Sequence, residues 1–239
     1  MTRQTTAQIP DYTLRRTARR RSVALMLLPD GSLEVRAPKR VSQNFIEEFI
    51  SERMAWIARK KAEQTKHPKA EKRTWQEGDV FCIHGVPHTL KLKQNNRVFV
   101  ERYEERDRNI LTLYQKDPTN KKRVRENLMA WFKNETERTL KPRLARHANS
   151  MEEQVPELLM STAKQRWGSC QGKKRLVRLS FRLLMATKDV QDYVMIHELA
   201  HLKHMDHSEK FWARVETFCP NWQAMEQKLK RHNGLWVFD

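Results

Sequence analysis

Apolar positions alternate in some stretches of the chain and recur every three or four residues in others, and the changes of period mark the elements. From Tyr12 the pattern is that of strands. Ser22 to Leu28 is largely apolar, Pro29-Asp30-Gly31 is a turn signal, and Leu33 and Val35 alternate with polar residues, which predicts a β-hairpin. Ser42 stands at an N-cap position ahead of Ile46, Ile50, Met54 and Ile57 on one helical stripe, with Trp56 beside it. Residues 64–74 are charged and contain Pro68, so they read as a loop or linker. Val80 to Leu92 predicts a second hairpin around Gly85, Val98–Val100 and Ile110–Leu113 predict two more strands, and Asp117-Pro118 closes this part.

A long basic helix is predicted over 119–149, with Val124, Leu128, Trp131, Phe132 and Leu140 inward and Pro142 expected to kink or end it. A strand pair follows near 159–165 and 175–183; in the second, Leu176, Leu179, Phe181 and Leu183 stand among Arg residues. A helix from about Asp189 and a last helix from about Ser208 to Lys228 complete the chain. The reading is an α+β protein without internal repeats. Residues 1–11 are a disordered tail, 12–117 a β-rich module with one helix, and 118–239 a second module.

Composition narrows the class. The 239 residues are 38% hydrophobic, with seven Trp and nine Phe, enough for a core. Mean hydropathy is −0.84, and no apolar run approaches the length of a membrane span. The Arg-rich N-terminal stretch lacks the apolar segment of a secretory signal, which points to the cytoplasm. Cys82, Cys170 and Cys219 form no C-x-x-C, so neither a disulfide framework nor a Cys-type zinc site is indicated. The net charge of +18 admits nucleic acid or another polyanion as a partner. Because the basic residues are spread along the whole chain, a solvated basic surface is the simpler explanation.

The chemistry lies in His197-Glu198-Leu199-Ala200-His201, followed by His204 and His207. Residues four apart share one face of a helix about 6 Å apart along its axis, so His197 and His201 can reach one ion. Neutral imidazoles suit Zn²⁺, and Glu198 next to the first ligand can take a proton from activated water. His204 is nearly on the same face but roughly 7 Å along the axis beyond the midpoint of the other two, too far for a bond of about 2 Å. His207 serves as third ligand only if the helix ends soon after His201 and the chain turns back; a remote carboxylate is the other candidate. Val190, Tyr193, Val194, Ile196, Leu199 and Leu202 make this helix apolar nearly all round, which implies burial. Two histidines and a glutamate buried without a metal would be costly to desolvate.

The spacing H-E-x-x-H-x5-H resembles the metzincin pattern, in which Gly stands at the turn; here His204 occupies that place. Two longer runs resemble the YgjP-like metallopeptidases, a family similar in its core to the SprT-like proteases that act on DNA-bound proteins. One is Arg166-Trp167-Gly168-Ser169-Cys170 with the Leu176–Leu184 strand. The other is Tyr193 through Leu202, then Asp206-His207-Ser208 and Phe211-Trp212. The resemblance covers nearly the whole chain. It implies a zincin-like metallopeptidase core in the second module, with His197, His201 and His207 as zinc ligands and Glu198 as catalytic base. Asp206 replaces the family's usual Asn, where an anion can hydrogen-bond a ligand. Ala186-Thr187 replaces the usual Pro before the zinc helix, leaving Thr187 or Asp189 as its cap.

The sequence thus predicts a zinc-dependent metallohydrolase, foremost a peptidase acting on peptide or protein, held by an edge strand at 159–165 or 175–183. A metal-dependent nucleotide or phosphoanhydride hydrolase and a basic nucleic-acid-binding module with a structural zinc are the alternatives. Gly168 reads as a site of close backbone approach or a bulge, Trp167 as packing and Arg166 as a structural partner or oxyanion donor. Cys170 has no base beside it in sequence to make it a nucleophile.

Overall fold

The computed structural model of the chain describes residues 9–28, 31–65, 73–104, 108–163, 166–232, Trp236 and Phe238. Most of the expected tail lies outside them. The chain divides into two units, Met1–Lys69 and Ala70–Asp239, and the architecture is α+β.

In the first unit, strands β1 (Tyr12–Thr17), β2 (Ala24–Leu27) and β3 (Leu33–Pro38) form a sheet of order β1-β3-β2. The expected β2–β3 hairpin is antiparallel, and β1 joins β3 in parallel. Leu33, Val35 and Ala37 alternate on the buried face of β3, as period two requires. They share a core with Ile46, Ile50 and Ile57 of helices α1 (Gln43–Ser51) and α2 (Met54–Thr65). Ser42 Oγ accepts the Phe45 N–H at 3.2 Å and caps α1. The single helix expected here is interrupted at Glu52–Arg53, yet its isoleucine stripe stays on one side.

In the second unit, β4 (Val80–Ile83), β5 (Val86–Gln94), β6 (Phe99–Glu104) and β7 (Asn109–Gln115) form a sheet of order β4-β5-β7-β6. Its inner face buries Phe81, Ile83, Leu90, Leu111 and Leu113 in one core with helix α3 (Lys121–Ser150). The division expected at 117/118 therefore falls inside this unit, because β7 and α3 bury their apolar faces together. The unit boundary lies instead within the 64–74 stretch, of which 66–72 are outside the described residues.

Helix α3 buries Val124, Leu128, Phe132, Thr136, Leu140, Leu144 and Ala148, one residue in every four. At 3.6 residues per turn such a stripe advances about 40° around the helix per step. The helix thus meets a succession of neighbours: the sheet β4-β5-β7-β6, the 3-10 turn Phe181–Met185, then helix α4 (Lys188–Ala200). Pro142 does not end it. The proline is exposed, and burial of Leu144 and Ala148 beyond it offsets the lost backbone hydrogen bond.

A second sheet has the order β8-β10-β9, with β8 (Glu157–Ser161) parallel and β9 (Gly168–Gln171) antiparallel to β10 (Leu176–Ser180). Sequence pattern predicts β8 and β10 but not β9. The single last helix it predicts is two helices, α5 (Glu209–Phe218) and α6 (Trp222–His232), which part at Cys219-Pro220. Proline has no N–H to continue α5.

Polar contacts fix where α4 starts. The hairpin turn His84-Gly85 has φ of 51° and 84°, and its two N–H groups donate to Leu184 O and Met185 O at 2.7 and 3.1 Å. A Cβ on Gly85 would lie 2.3 Å from Thr187 Cγ2, so only glycine permits this approach. Buried Thr136 donates its hydroxyl to Phe181 O at 2.8 Å. Gln191, fully buried, donates to Leu183 O at 3.0 Å and Ala186 O at 2.7 Å and accepts from Arg143. Arg143 and His147 of α3 both reach Asp192 of α4 at 2.7 Å.

Burial pushes the Asp192 carboxyl up, but hydrogen bonds from His147 and Arg143 and their charges outweigh it and leave it below its ordinary value. A carboxyl depressed on folding adds stability that is complete above its unfolded value of about 3.9 and is lost as pH falls through the lower folded value. Below about pH 4 the denaturant midpoint should therefore fall more steeply for the wild-type protein than for Asp192→Asn. Parallel profiles would show that the α3–α4 ion pair contributes no stability.

Candidate metal centre

Helix α4 carries His197 and Glu198, and His201 is its C-terminal cap residue. The helix ends there, as a third ligand at His207 requires. His204 has no positive φ, so the turn is not the glycine-type turn of the metzincin spacing. The reversal brings His207 back: one nitrogen from each of His197, His201 and His207 lies within 4.8 Å of the others. His204 contributes its backbone rather than its ring, with its carbonyl 2.9 Å from His201 Nδ1. That bond places the ring hydrogen on Nδ1 and leaves His201 Nε2 bare, which is how a metal-binding imidazole is oriented.

These residues fit a divalent cation. The Nε2 atoms of His197 and His207 face each other at 3.2 Å. Nitrogens bound at 2.0–2.1 Å to one tetrahedral ion stand about 3.4 Å apart. Burial, and then the charges of His201 and His207, lower the pKa of His197 to about 3, so its ring is neutral and its lone pair available. Burial also lowers His201.

Phe211, fully buried at the start of α5, is the floor of the site. Its ring centroid lies 4.9, 4.5 and 4.8 Å from those of His197, His201 and His207. Trp212 flanks His197 and His207 and stacks on Trp222 of α6 at 4.0 Å. Asp206 accepts the Ser208 hydroxyl at 2.9 Å, so its partner is Ser208 rather than an imidazole.

Glu198 is 6% exposed, and burial raises its pKa to about 8 against the opposing charge of exposed Arg166. Strand β9 passes directly over this carboxylate. A Cβ on Gly168 would stand 2.4 Å from Glu198 Oε1 and 2.6 Å from its Cγ. The glycine of the Arg166–Cys170 run therefore makes the close approach read from the sequence; its partner, Glu198, was not legible there. Trp167 packs edge-on against Trp236 at 6.0 Å, with the Arg182 guanidinium 4.6 Å from its ring. Burial and then the Glu198 charge raise the Cys170 thiol to about 11, so it is no nucleophile near neutrality. Met225 belongs to the core.

Residues 21–232 match the YgjP-like family, metallopeptidase domain. The chain belongs to the YgjP-like family. A metallopeptidase family implies a divalent metal, and the resemblance carried by the Arg166–Cys170 and Tyr193–Leu202 runs is borne out. Among solved structures, the metallopeptidase zymogen abylysin of Pyrococcus abyssi shares 26% identity over 36% of this chain and 87% of its own, with a TM-score of 0.34. The jannalysin zymogen of Methanocaldococcus jannaschii shares 20% over 36% and 88%, with a TM-score of 0.33. No curated protein matches the chain. Among the described residues of this YgjP-like protein, no helix is long and apolar enough to cross a membrane.

The contact between β9 and Glu198 has a measurable consequence. Gly168→Ala should cost about 1–3 kcal/mol by overpacking, read as a lower urea midpoint. Adding Glu198→Ala should restore most of that loss, because the clash partner is gone. Additive losses would show that Gly168 answers to another constraint.

Proposed function

We propose that the chain is a zinc-dependent peptidase of the cytoplasm, in which His197, His201 and His207 hold the ion and Glu198 is the general base. The observation that carries this reading is the convergence of three imidazole nitrogens beside a buried carboxylate. A divalent ion held there supplies Lewis acidity at a carbonyl oxygen and makes water a nucleophile near neutral pH. Burial alone disfavours the charged form of Glu198, and a divalent cation beside it would favour the carboxylate, the form that takes the proton of the attacking water and delivers it to the leaving amine. The His204 carbonyl keeps the His201 ring oriented, and Phe211 excludes water from behind all three rings. Three free cysteines accord with a reducing compartment.

Of the two segments expected to receive the substrate, 175–183 contains β10, which is paired on both sides, while 159–165 overlaps β8, an edge strand among the described residues. Strand β9 is an edge strand among the described residues and lies against Glu198 through Gly168. A peptide added along β9 is held by backbone hydrogen bonds, with its scissile carbonyl brought to the carboxylate.

Glu198→Gln should keep the wild-type zinc content by elemental analysis and lose casein hydrolysis by about 10²–10⁴-fold. Undiminished turnover by that variant would reject the general base. The same preparations assayed against nucleoside triphosphates should release no phosphate; hydrolysis of those without casein cleavage would reject the peptidase reading in favour of phosphoanhydride chemistry.

A further inference from the structure

The sheet β4-β5-β7-β6 buries one face against α3, and its other face carries a set of side chains that hydrolysis does not use. Strand register places Lys93, Tyr114 and Phe99 in one row across β5, β7 and β6, and the next row runs from Lys91 through Thr112 to Glu101. Tyr103 stands farther along β6, on the same face as Phe99 and Glu101. Phe99 is 38% and Tyr103 54% exposed, and both lysines are exposed. Large aromatic rings on the open face of a sheet are costly to leave in water and mark a binding surface.

The first row is already a partial stack. The rings of Phe99 and Tyr114 lie 4.3 Å apart at 11°, and Lys93 Nζ lies 5.7 Å from the Tyr114 centroid. Lys93 and Phe99 come from the strands on either side of β7, so they occupy opposite faces of the Tyr114 ring. Strand β6 is an edge strand among the described residues, and the second face of Phe99 therefore looks over that edge.

We propose that this face binds single-stranded nucleic acid, with bases stacked on Phe99 and Tyr103 and the phosphate backbone along Lys91 and Lys93. Stacking on aromatic side chains beside a cationic track is the chemistry by which unpaired bases are held, and a duplex cannot offer its base faces in this way. Phe99 and Tyr103 lie about 13 Å apart along the strand, so they take two bases of one extended strand. Glu101 lies between them and accepts the Tyr114 hydroxyl at 2.9 Å. Its charge repels phosphate, which steers the backbone to the lysine side, and its remaining lone pairs accept base amino hydrogens. The chain's net charge of +18 favours the encounter over that with an acid-poor protein surface. This site lies apart from the proposed zinc ligands and does not depend on their role.

The test is fluorescence anisotropy of the full chain with a labelled oligodeoxythymidine and with a duplex of equal length, across a salt series. The single strand should bind more tightly than the duplex, with affinity falling as salt rises. Phe99→Ala with Tyr103→Ala should weaken single-strand binding by about tenfold or more while the protein stays folded at the assay temperature, with only a small fall in melting temperature from loss of the Phe99–Tyr114 stack, and Phe99→Trp should retain binding. Lys91→Gln with Lys93→Gln should reduce the salt slope by about one to two. Photocrosslinking with 5-iodouracil oligonucleotides should place adducts on Phe99, Tyr103 or Tyr114. Wild-type affinity in the aromatic double variant, adducts confined to other segments, or no single-strand binding at low salt, as for a face that takes a protein partner, would each overturn the proposal.

Discussion

A helix can carry two imidazoles to one point but not three. His197 and His201 lie one turn apart, and a helix that continued would take every later side chain away along its axis. The convergence of three rings therefore depends on α4 ending at His201 and on the chain reversing before Ser208. Phe211 makes that reversal rigid, because one buried ring touches all three histidines and fixes the first turn of α5 against the last turn of α4. Half-buried His197 and buried His201 and Glu198, beside exposed His207, are also a desolvation problem, visible in the lowered pKa of His197 and the raised pKa of Glu198. A cation shared among neutral nitrogens resolves it without any group having to carry an unpaired buried charge.

The rest of the second unit serves to place α4. The buried stripe of α3 drifts around its axis, so one helix touches the sheet β4-β5-β7-β6, the 3-10 turn Phe181–Met185 and α4 in succession. Gln191, Arg143, Asp192 and the His84-Gly85 hairpin set the direction in which α4 leaves that turn. Gly168 then lets β9 lie over the Glu198 carboxylate, which removes it from water. Two glycines, Gly85 and Gly168, thus act at the two ends of the same helix, each by the absence of a side chain.

Much of this was legible in the sequence wherever a local pattern decides the outcome. Both hairpins, the Ser42 cap and the long helix α3 follow from periodicity and turn chemistry; helix spacing sets His204 aside but leaves His207 and a remote carboxylate open, and the family resemblance points to His207. What escaped was decided by tertiary contact. Strand β9 is only four residues long and is held by pairing with β10, so it has no period of its own. Pro142 reads as a helix breaker, but burial of Leu144 and Ala148 beyond it decides otherwise. Pro220 is a breaker that does break, and a reading guided by the apolar stripe alone passes over it. Gly168 declares that something approaches closely, but only the fold names Glu198 as that group.

The most direct test of the account is X-ray absorption at the zinc edge of the zinc-loaded protein. The expected first shell is three imidazole nitrogens and one oxygen near 2.0–2.1 Å, reduced to two imidazoles in His207→Ala. A sulfur in that shell, or a spectrum unchanged by the loss of His207, would contradict it.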